Sequence, residues 1–560
     1  MEQLHDPHLG RSQGEQVLAF AATAAGHKPR PGLRRMWIDI LAGLVIVSVL
    51  MFWGGYLLDY SLASGTTARG PEAIAYFFNF DPGLLTDALP ALGTTIVAVF
   101  GIVLTVVAII VQLSSDRYTG VALMFLRDGI NIAVMSFYVI AGLCSIWLSV
   151  SLQPEFVPRF VLVSVLLAAS LALALMLPYF AYVFWFLEPG NIVNRIRYHA
   201  TRLASRGSGL ASPEKVPDYQ VQVLRLVEEI TDIANNSISG KDKIITSRAV
   251  DALRDFLLAY IASKPTQDHA WFRIDQGIRE DPDFVAMDRE LMQELDLRWL
   301  WVEWKTLRQY LGIYNEALSS MQDINYLIAI DTRYIGEAAA ADQRHEHREI
   351  VSMVFRFMNS YLRAAINQGS VRTAYNVLHQ YRLLIESMLA LGRTDAALEA
   401  VEHLKYYGGV AAEQDLHFIT ETVAYDLAAL SEYAHRNGFR AEDQVLTQLL
   451  DLDGPARNRP QELALRGIRK AQVKLATYYL SVGAEAQART IASDMAGESP
   501  EMLRSICDEL GQAASPHFWE IVDRGRNFEY LPPTQRPQLP AFLNLLDGIS
   551  RAAPSRAARR

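Results

Sequence analysis

The sequence predicts an all-α protein in two parts: a four-helix transmembrane domain followed by a cytoplasmic helical domain, either a degenerate helix-hairpin solenoid or a single non-repeating helical domain. Three observations carry this. Long apolar runs crowd into the first third of the 560-residue chain. From Tyr219 onward the apolar pattern is helical almost throughout. In the last half, glycines that end helical stretches are followed at a fixed offset by alanine. A chain this long exceeds what one hydrophobic core fills. Its hydrophobic share of 51% and mean hydropathy of +0.10 are modest for a many-pass transporter, so the apolar weight must be concentrated.

A bilayer core of about 30 Å needs about 20 mostly apolar residues. Four stretches qualify. The first, Trp37 to Leu58, has Trp37, Trp53 and Tyr56 near its ends, where amphipathic rings prefer the headgroup level. The second runs from Leu92 to Leu113 and the third from Ile130 to Leu152. The fourth lies within Phe156 to Leu187 and contains Pro178, a kink site. Lys28, Arg30, Arg34 and Arg35 precede the first span, Arg117 and Arg127 lie between the second and third, and Arg195, Arg197, Arg202 and Arg206 follow the fourth. The opposite connections hold Arg69 and Arg159. By the positive-inside rule both termini, and with them the large remainder of the chain, are expected in the cytoplasm.

The second span carries a pattern of its own. Thr94, Ala98, Gly101, Thr105, Ala108, Gln112 and Ser115 follow one another at steps of four and three, which holds them in a stripe about 100° wide, while large aliphatic residues fill the rest of the circumference. Two readings stand. Small residues let helix backbones approach and Thr or Gln bond across the contact, a packing seam. The other is a pore-lining face, with Asp116, Arg117, Arg127 and Asp128 at its cytoplasmic mouth.

Gln112-Leu113-Ser114-Ser115 at the end of the second span and Phe125-Leu126-Arg127-Asp128 before the third resemble blocks of the bacterial membrane proteins grouped as domain of unknown function 2254, over about residues 35–325. In "IANNSISGKDKIITSRAVDALRDFLLAY" the family's usual Ser-Pro-Gly-Ile-Asn-Asp-Pro gives way to Ser239-Gly240-Lys241-Asp242-Lys243. The resemblance implies a four-span inner-membrane protein and no particular activity.

"RGSGLASPEK", residues 206–215, has the composition of a linker. Beyond it, Val221, Val223, Leu224, Leu226, Val227 and Ile230 mark an amphipathic helix, and a second helix is expected over Thr246 to Ile261. "KPTQDHAWFRIDQGIREDPDF" breaks the helical pattern and reads as short extended segments. Gly312, Gly369, Gly392 and Gly483 are each followed five residues later by Ala317, Ala374, Ala397 and Ala488, and are read as hairpin turns; Gly438 has Asp443 at that offset. Residues 383–404 are similar to a tetratricopeptide hairpin, without that family's aromatic and Pro positions. The resulting domains are a cytoplasmic N-terminal tail (1–35), the transmembrane domain (36–190), a juxtamembrane helical region (191–300), a helical-hairpin domain (301–530) and a basic, Pro-containing tail (531–560).

Chemistry is sparse. His345 and His347, at i and i+2, do not share a helix face and have no third ligand at metal spacing. No Walker A, Gly-x-Gly-x-x-Gly, Gly-x-Ser-x-Gly or His-Glu-x-x-His motif occurs, so no catalytic, cofactor or metal residues are assigned. Trp301 and Trp304 in "WLWVEW" read as helix core. Two cysteines, Cys144 and Cys507, give no disulfide framework. A net charge of -9 argues against a nucleic-acid surface. The partners expected are membrane lipid, a second copy of the chain and a cytoplasmic protein. The function expected is tethering of an interaction or sensing module, with a homo-oligomeric channel as the alternative.

Overall fold

The computed structural model describes residues 82–115, 121–151, 158–210, 215–342, 345–453, 459–517 and 527–552, together with Ile46, Val49, Leu50, Trp53, Gly54, Leu57, Phe78 and Arg524. Among the described residues every regular element is a helix, and the chain divides into two compact units within residues 26–196 and 197–560.

The first unit contains α1 (Pro82–Ser115), the short α2 (Val121–Leu126), α3 (Gly129–Ser151) and α4 (Arg159–Leu187); α5 (Pro189–Leu210) begins in it and crosses into the second unit. Three helices, Ala88–Ser114, Gly129–Ser151 and Arg159–Leu187, are long and apolar enough to cross a membrane. Four spans were expected. Most of Trp37 to Leu58 lies outside the described residues, although Ile46, Val49, Leu50, Trp53, Gly54 and Leu57 are helical. The core joins Leu89 of α1 to Leu148 of α3 and Leu162 and Val165 of α4, and Ile96 to Ala141 and Ala169. α4 runs unbroken through Pro178. Where a linker was expected, α5 continues helical to Leu210.

The second unit is a stack of helix hairpins in two layers. One layer is built from α7 (Lys243–Ser263), α13 (Gln322–Ala341), α15 (Val371–Ala390), α17 (His417–Arg436) and α19 (Arg459–Ser481), each packed on the next. The other is α6 (Val216–Ser239), α12 (Trp301–Ala317), α14 (His345–Asn367), α16 (Thr394–Glu413), α18 (Glu442–Leu450) and α20 (Glu485–Asp494). α21 (Pro500–Gln512) and α22 (Leu539–Ala552) close the end. The expected juxtamembrane region and hairpin domain thus share one core, because α6 packs on α12 and α7 on α13. Neighbouring helices within a layer come close where side chains shrink: a Cβ on Gly467 of α19 would meet the Glu421 side chain of α17 at 2.7 Å.

Over the stretch expected to be extended, residues 264–284, the chain instead forms short helices, α8 (His269–Phe272), α9 (Gln276–Arg279) and α10 (Pro282–Val285), and the nine-residue α11 (Arg289–Leu297) follows before α12. Aspartates start three of them. Asp268 accepts from Ala270 N at 2.9 Å, Asp275 from Ile278 N at 3.1 Å and Asp281 from Asp283 N at 2.9 Å, supplying the orphan first-turn amides with acceptors. The Asp spacing was therefore a cap signal, and periodicity alone missed helices of one turn.

Gly369, Gly392 and Gly483 end α14, α15 and α19 with φ of +67°, +72° and +79°. In each turn the following amide reaches back five residues, as Arg393 N does to Met388 O at 2.8 Å, the Schellman geometry that a Cβ would strain. Gly312 does not belong with them. It lies inside α12, which continues to Ala317 and turns only at Leu318–Met321, so its Ala offset was coincidence. Gly438 does belong, at φ +66°; its buried small residue is Ala441 rather than the residue at position 443.

Candidate functional site

On α1 the polar stripe and the packed face are opposite. Leu89, Ile96, Val99, Val103 and Val107 are buried, and at 100° per residue they lie about 180° from the stripe. Thr94, Ala98, Gly101, Thr105, Ala108 and Gln112 are exposed, so the stripe is not a seam with α3 or α4. The branched aliphatic face fits against α3 and α4 because it buries more surface per contact. The Thr hydroxyls are already bonded within the helix, Thr94 Oγ1 to Pro90 O and Thr105 Oγ1 to Gly101 O, both at 2.8 Å. Such back-bonded hydroxyls require no water. Ser115 is helical; Asp116 and Arg117 lie outside the described residues. Beside the stripe an open groove of about 470 Å³ runs between α1 and α3, lined by Gly93, Thr94, Ala98, Ser145 and Ser149 among others. The buried Ser145 Oγ has no hydrogen-bond partner among the described residues.

Arg127 is exposed, whereas Asp128 is the hub that ties the helices of this unit together. One carboxylate oxygen accepts from the backbone amides of Ile130 and Asn131, each at 3.1 Å, and from the Tyr182 hydroxyl of α4 at 2.5 Å. It is thus the N-cap of α3 and a strut to α4 at once. Arg195 approaches its other oxygen to 4.0 Å and lies 3.6 Å over the Phe186 ring. Next to it Tyr179 donates to Asn131 Oδ1 at 2.6 Å, Asn131 Nδ2 donates to Phe125 O at 3.1 Å, and Tyr138 donates to Ala172 O at 2.7 Å. Reading Asp128 as part of a mouth missed this role. The signal was there: an Asp directly before an apolar helical run is a cap.

In the second unit Glu228, Asp281 and Asp283 bring carboxylate oxygens within 4.8 Å of one another. The ammonium of Lys305 sits among them, 2.6 Å from Glu228, 2.8 Å from both oxygens of Asp281 and 2.7 Å from Asp283. Burial works against its charge, but the three acids outweigh burial and raise its pKa. The cluster is an ion-paired pin between α6, α10 and α12, with one ammonium shared by three acids. Nearby, Lys264 bonds Glu303 at 2.7 Å with both side chains buried, and also donates to Trp299 O at 2.7 Å. Trp301 is fully buried and donates to Trp271 O at 3.0 Å, as a core residue does. A further network joins Arg254 to Asp251, Asp255 and the fully buried Asp331. Burial, with Asp251 alongside, pushes Asp331 up to about 7 in spite of Arg254. Cys144 and Cys507 are free thiols, and burial pushes Cys507 up to about 11.

The chain matches no family model, no curated protein and no solved structure.

The chemistry of these sites is cohesive. Each of these clusters pairs its charges within itself, and among the described residues they sit in cores or at helix junctions. What the second unit offers outward is the face of a stack of helices.

Proposed function

We propose that this protein is an integral membrane protein whose apolar helices hold a helical-hairpin docking module at the inner face of a bacterial plasma membrane. One observation carries it: two separate units with opposite surface chemistry. In the first, Val97, Ile102, Leu104, Ile109, Leu113, Ile140, Trp147, Phe160, Leu167 and Leu177 are exposed on helices of spanning length, a surface that water disfavours and hydrocarbon accepts. In the second, most large apolar residues are buried, and exposed ones such as Ile244, Leu297, Tyr406 and Phe418 are scattered over different helices. Anchoring raises the local concentration of such a module for partners at the membrane, which is how tethering strengthens binding without new contacts.

The stripe on α1 supports self-association in this proposal. It is small, exposed and dry-competent, properties that let two helices approach closely in lipid. The likeness to domain of unknown function 2254 and the four-span topology, with both termini cytoplasmic, belong to the same proposal. The test is extraction of the intact protein from membranes. Release only by detergent, with the second unit digested by protease in inverted vesicles and protected in right-side-out vesicles, is the expected result. Release by carbonate or high salt alone overturns the proposal.

A further inference from the structure

Arg524 is separated by 149 residues from Tyr375, whose backbone carbonyl it reaches. Its side chain is 4% exposed and crosses the faces of α15 and α17. One guanidinium nitrogen donates to Asp426 Oδ1 of α17 at 2.8 Å, another to Tyr375 O of α15 at 2.5 Å, and the group lies 4.2 Å over the Tyr375 ring. Four residues on, Phe528 stacks on Tyr425 of α17 at 4.9 Å and meets Tyr375 edge-on at 6.0 Å. Its carbonyl accepts from Lys474 of α19 at 2.7 Å, and Glu529 pairs with Lys470 of α19 at 2.5 Å. An irregular stretch of chain is therefore held by side chains of three consecutive helices of one layer, with an arginine in an acidic aromatic pocket, an aromatic ring on a tyrosine, and an acid on a lysine.

The contact is imperfect in a way that bears on its role. Asp426 Oδ2, the Tyr425 hydroxyl and Arg524 Nε are buried without hydrogen-bond partners among the described residues. Buried polar atoms left unpaired weaken the contact that leaves them so. Arg382 Nε lies 3.2 Å from the same Asp426 oxygen, so the acid keeps a compensating charge when Arg524 departs. Groove side chains that remain balanced without their occupant, and an occupant that leaves bonds unmade, describe an exchangeable ligand better than a structural strut.

We infer that the face of α15, α17 and α19 is a peptide-docking groove, filled in cis by the chain's own Arg524, Phe528 and Glu529. Its partner is a protein segment carrying an arginine, an aromatic residue four positions later and an acid directly after it, which displaces the cis segment. This rests on the docking-module proposal and names the chemistry of its partner. Because the occupant is covalently attached, its effective concentration is high and the groove of the resting protein is closed to weak competitors.

The experiment uses the detergent-solubilised full chain and a fluorescent synthetic peptide of residues 522–532. Anisotropy should show weak binding to the wild type and binding tighter by about tenfold or more to the doubly substituted Arg524→Ala, Phe528→Ala chain, whose groove is empty. Adding Asp426→Ala, or replacing the peptide's arginine by alanine, should remove that gain. A doubly substituted chain with wild-type helix content that binds this peptide no better than a scrambled one overturns the inference. Should that chain lose helix content, the wild type decides: excess peptide must speed amide exchange at residues 527–531, and unchanged exchange overturns it. Neither negative result touches membrane anchoring, which carbonate extraction tests separately.

Discussion

Replacing Lys305 by methionine removes one positive charge from a pocket that holds three acids. Lys305 is 2% exposed, Asp281 6%, Asp283 18% and Glu228 37%. Methionine keeps the volume of the side chain, so packing loss is small and the result reports charge. Breaking a buried ion pair from one side costs about 3–5 kcal/mol, because the remaining charge is left without its partner. Glu228 is the most exposed of the acids and can turn toward water, which favours the lower end of that range, about 3 kcal/mol. The acids can also escape by taking up protons. Their pKa values in the folded variant then lie above those of the unfolded chain, the folded state binds more protons, and stability falls as pH rises. The loss should therefore be larger at pH 8 than at pH 5. Urea unfolding of the full chain, followed by tryptophan fluorescence at the two pH values, measures both effects. A loss below about 1 kcal/mol, independent of pH, refutes the reasoning that Lys305 holds the three acids together.

Asp331, held near 7 from an ordinary 3.8, keeps its proton in the fold where the unfolded chain releases it. Its contribution is fully present below about pH 4 and is lost as pH rises toward 7, a fall of up to roughly 4 kcal/mol; Asp331→Asn should flatten that slope in unfolding measured from pH 5 to 8. Gly392→Ala, at φ +72°, should destabilise by about 1 kcal/mol, whereas Gly312→Ala inside α12, where an added Cβ meets open space, should stabilise by about 0.5–1 kcal/mol; equal effects in thermal unfolding would contradict the turn assignment. Gly101→Leu on the exposed stripe should leave helix content intact and shift the protein toward monomer in detergent, read by light scattering; an unchanged mass would sever the stripe from self-association. Asp128→Asn, which keeps an amide acceptor for the α3 cap but removes the charge facing Arg195, should cost less than Asp128→Ala by about 1 kcal/mol in urea unfolding.

Helical class, apolar segments and three of the hairpin glycines were legible because each rests on local physics. A run such as Val103 to Val111 has few ways to bury or expose itself, and a glycine after a helical stretch relieves one specific backbone strain. Gly312 shows the limit, since a glycine in a helix interior and one at its end look alike until the next turn is located. The stripe shows another limit. Periodicity placed Thr94, Gly101, Thr105 and Gln112 on one face, and that grouping holds, yet whether the face is inside or outside depends on which side α3 and α4 occupy.

From the order of residues alone come the helices, their approximate ends and the division into an apolar and a polar part, because hydrogen bonding within a helix and the partition of side chains between water and hydrocarbon act over a few residues at a time. The tertiary structure alone decided that Lys305 lies among Glu228, Asp281 and Asp283, that Asp128 joins two helices, and that Arg524 reaches Tyr375 across 149 residues. Those meetings depend on how hairpins stack, and stacking is set by the summed fit of many side chains, which no local window of sequence contains.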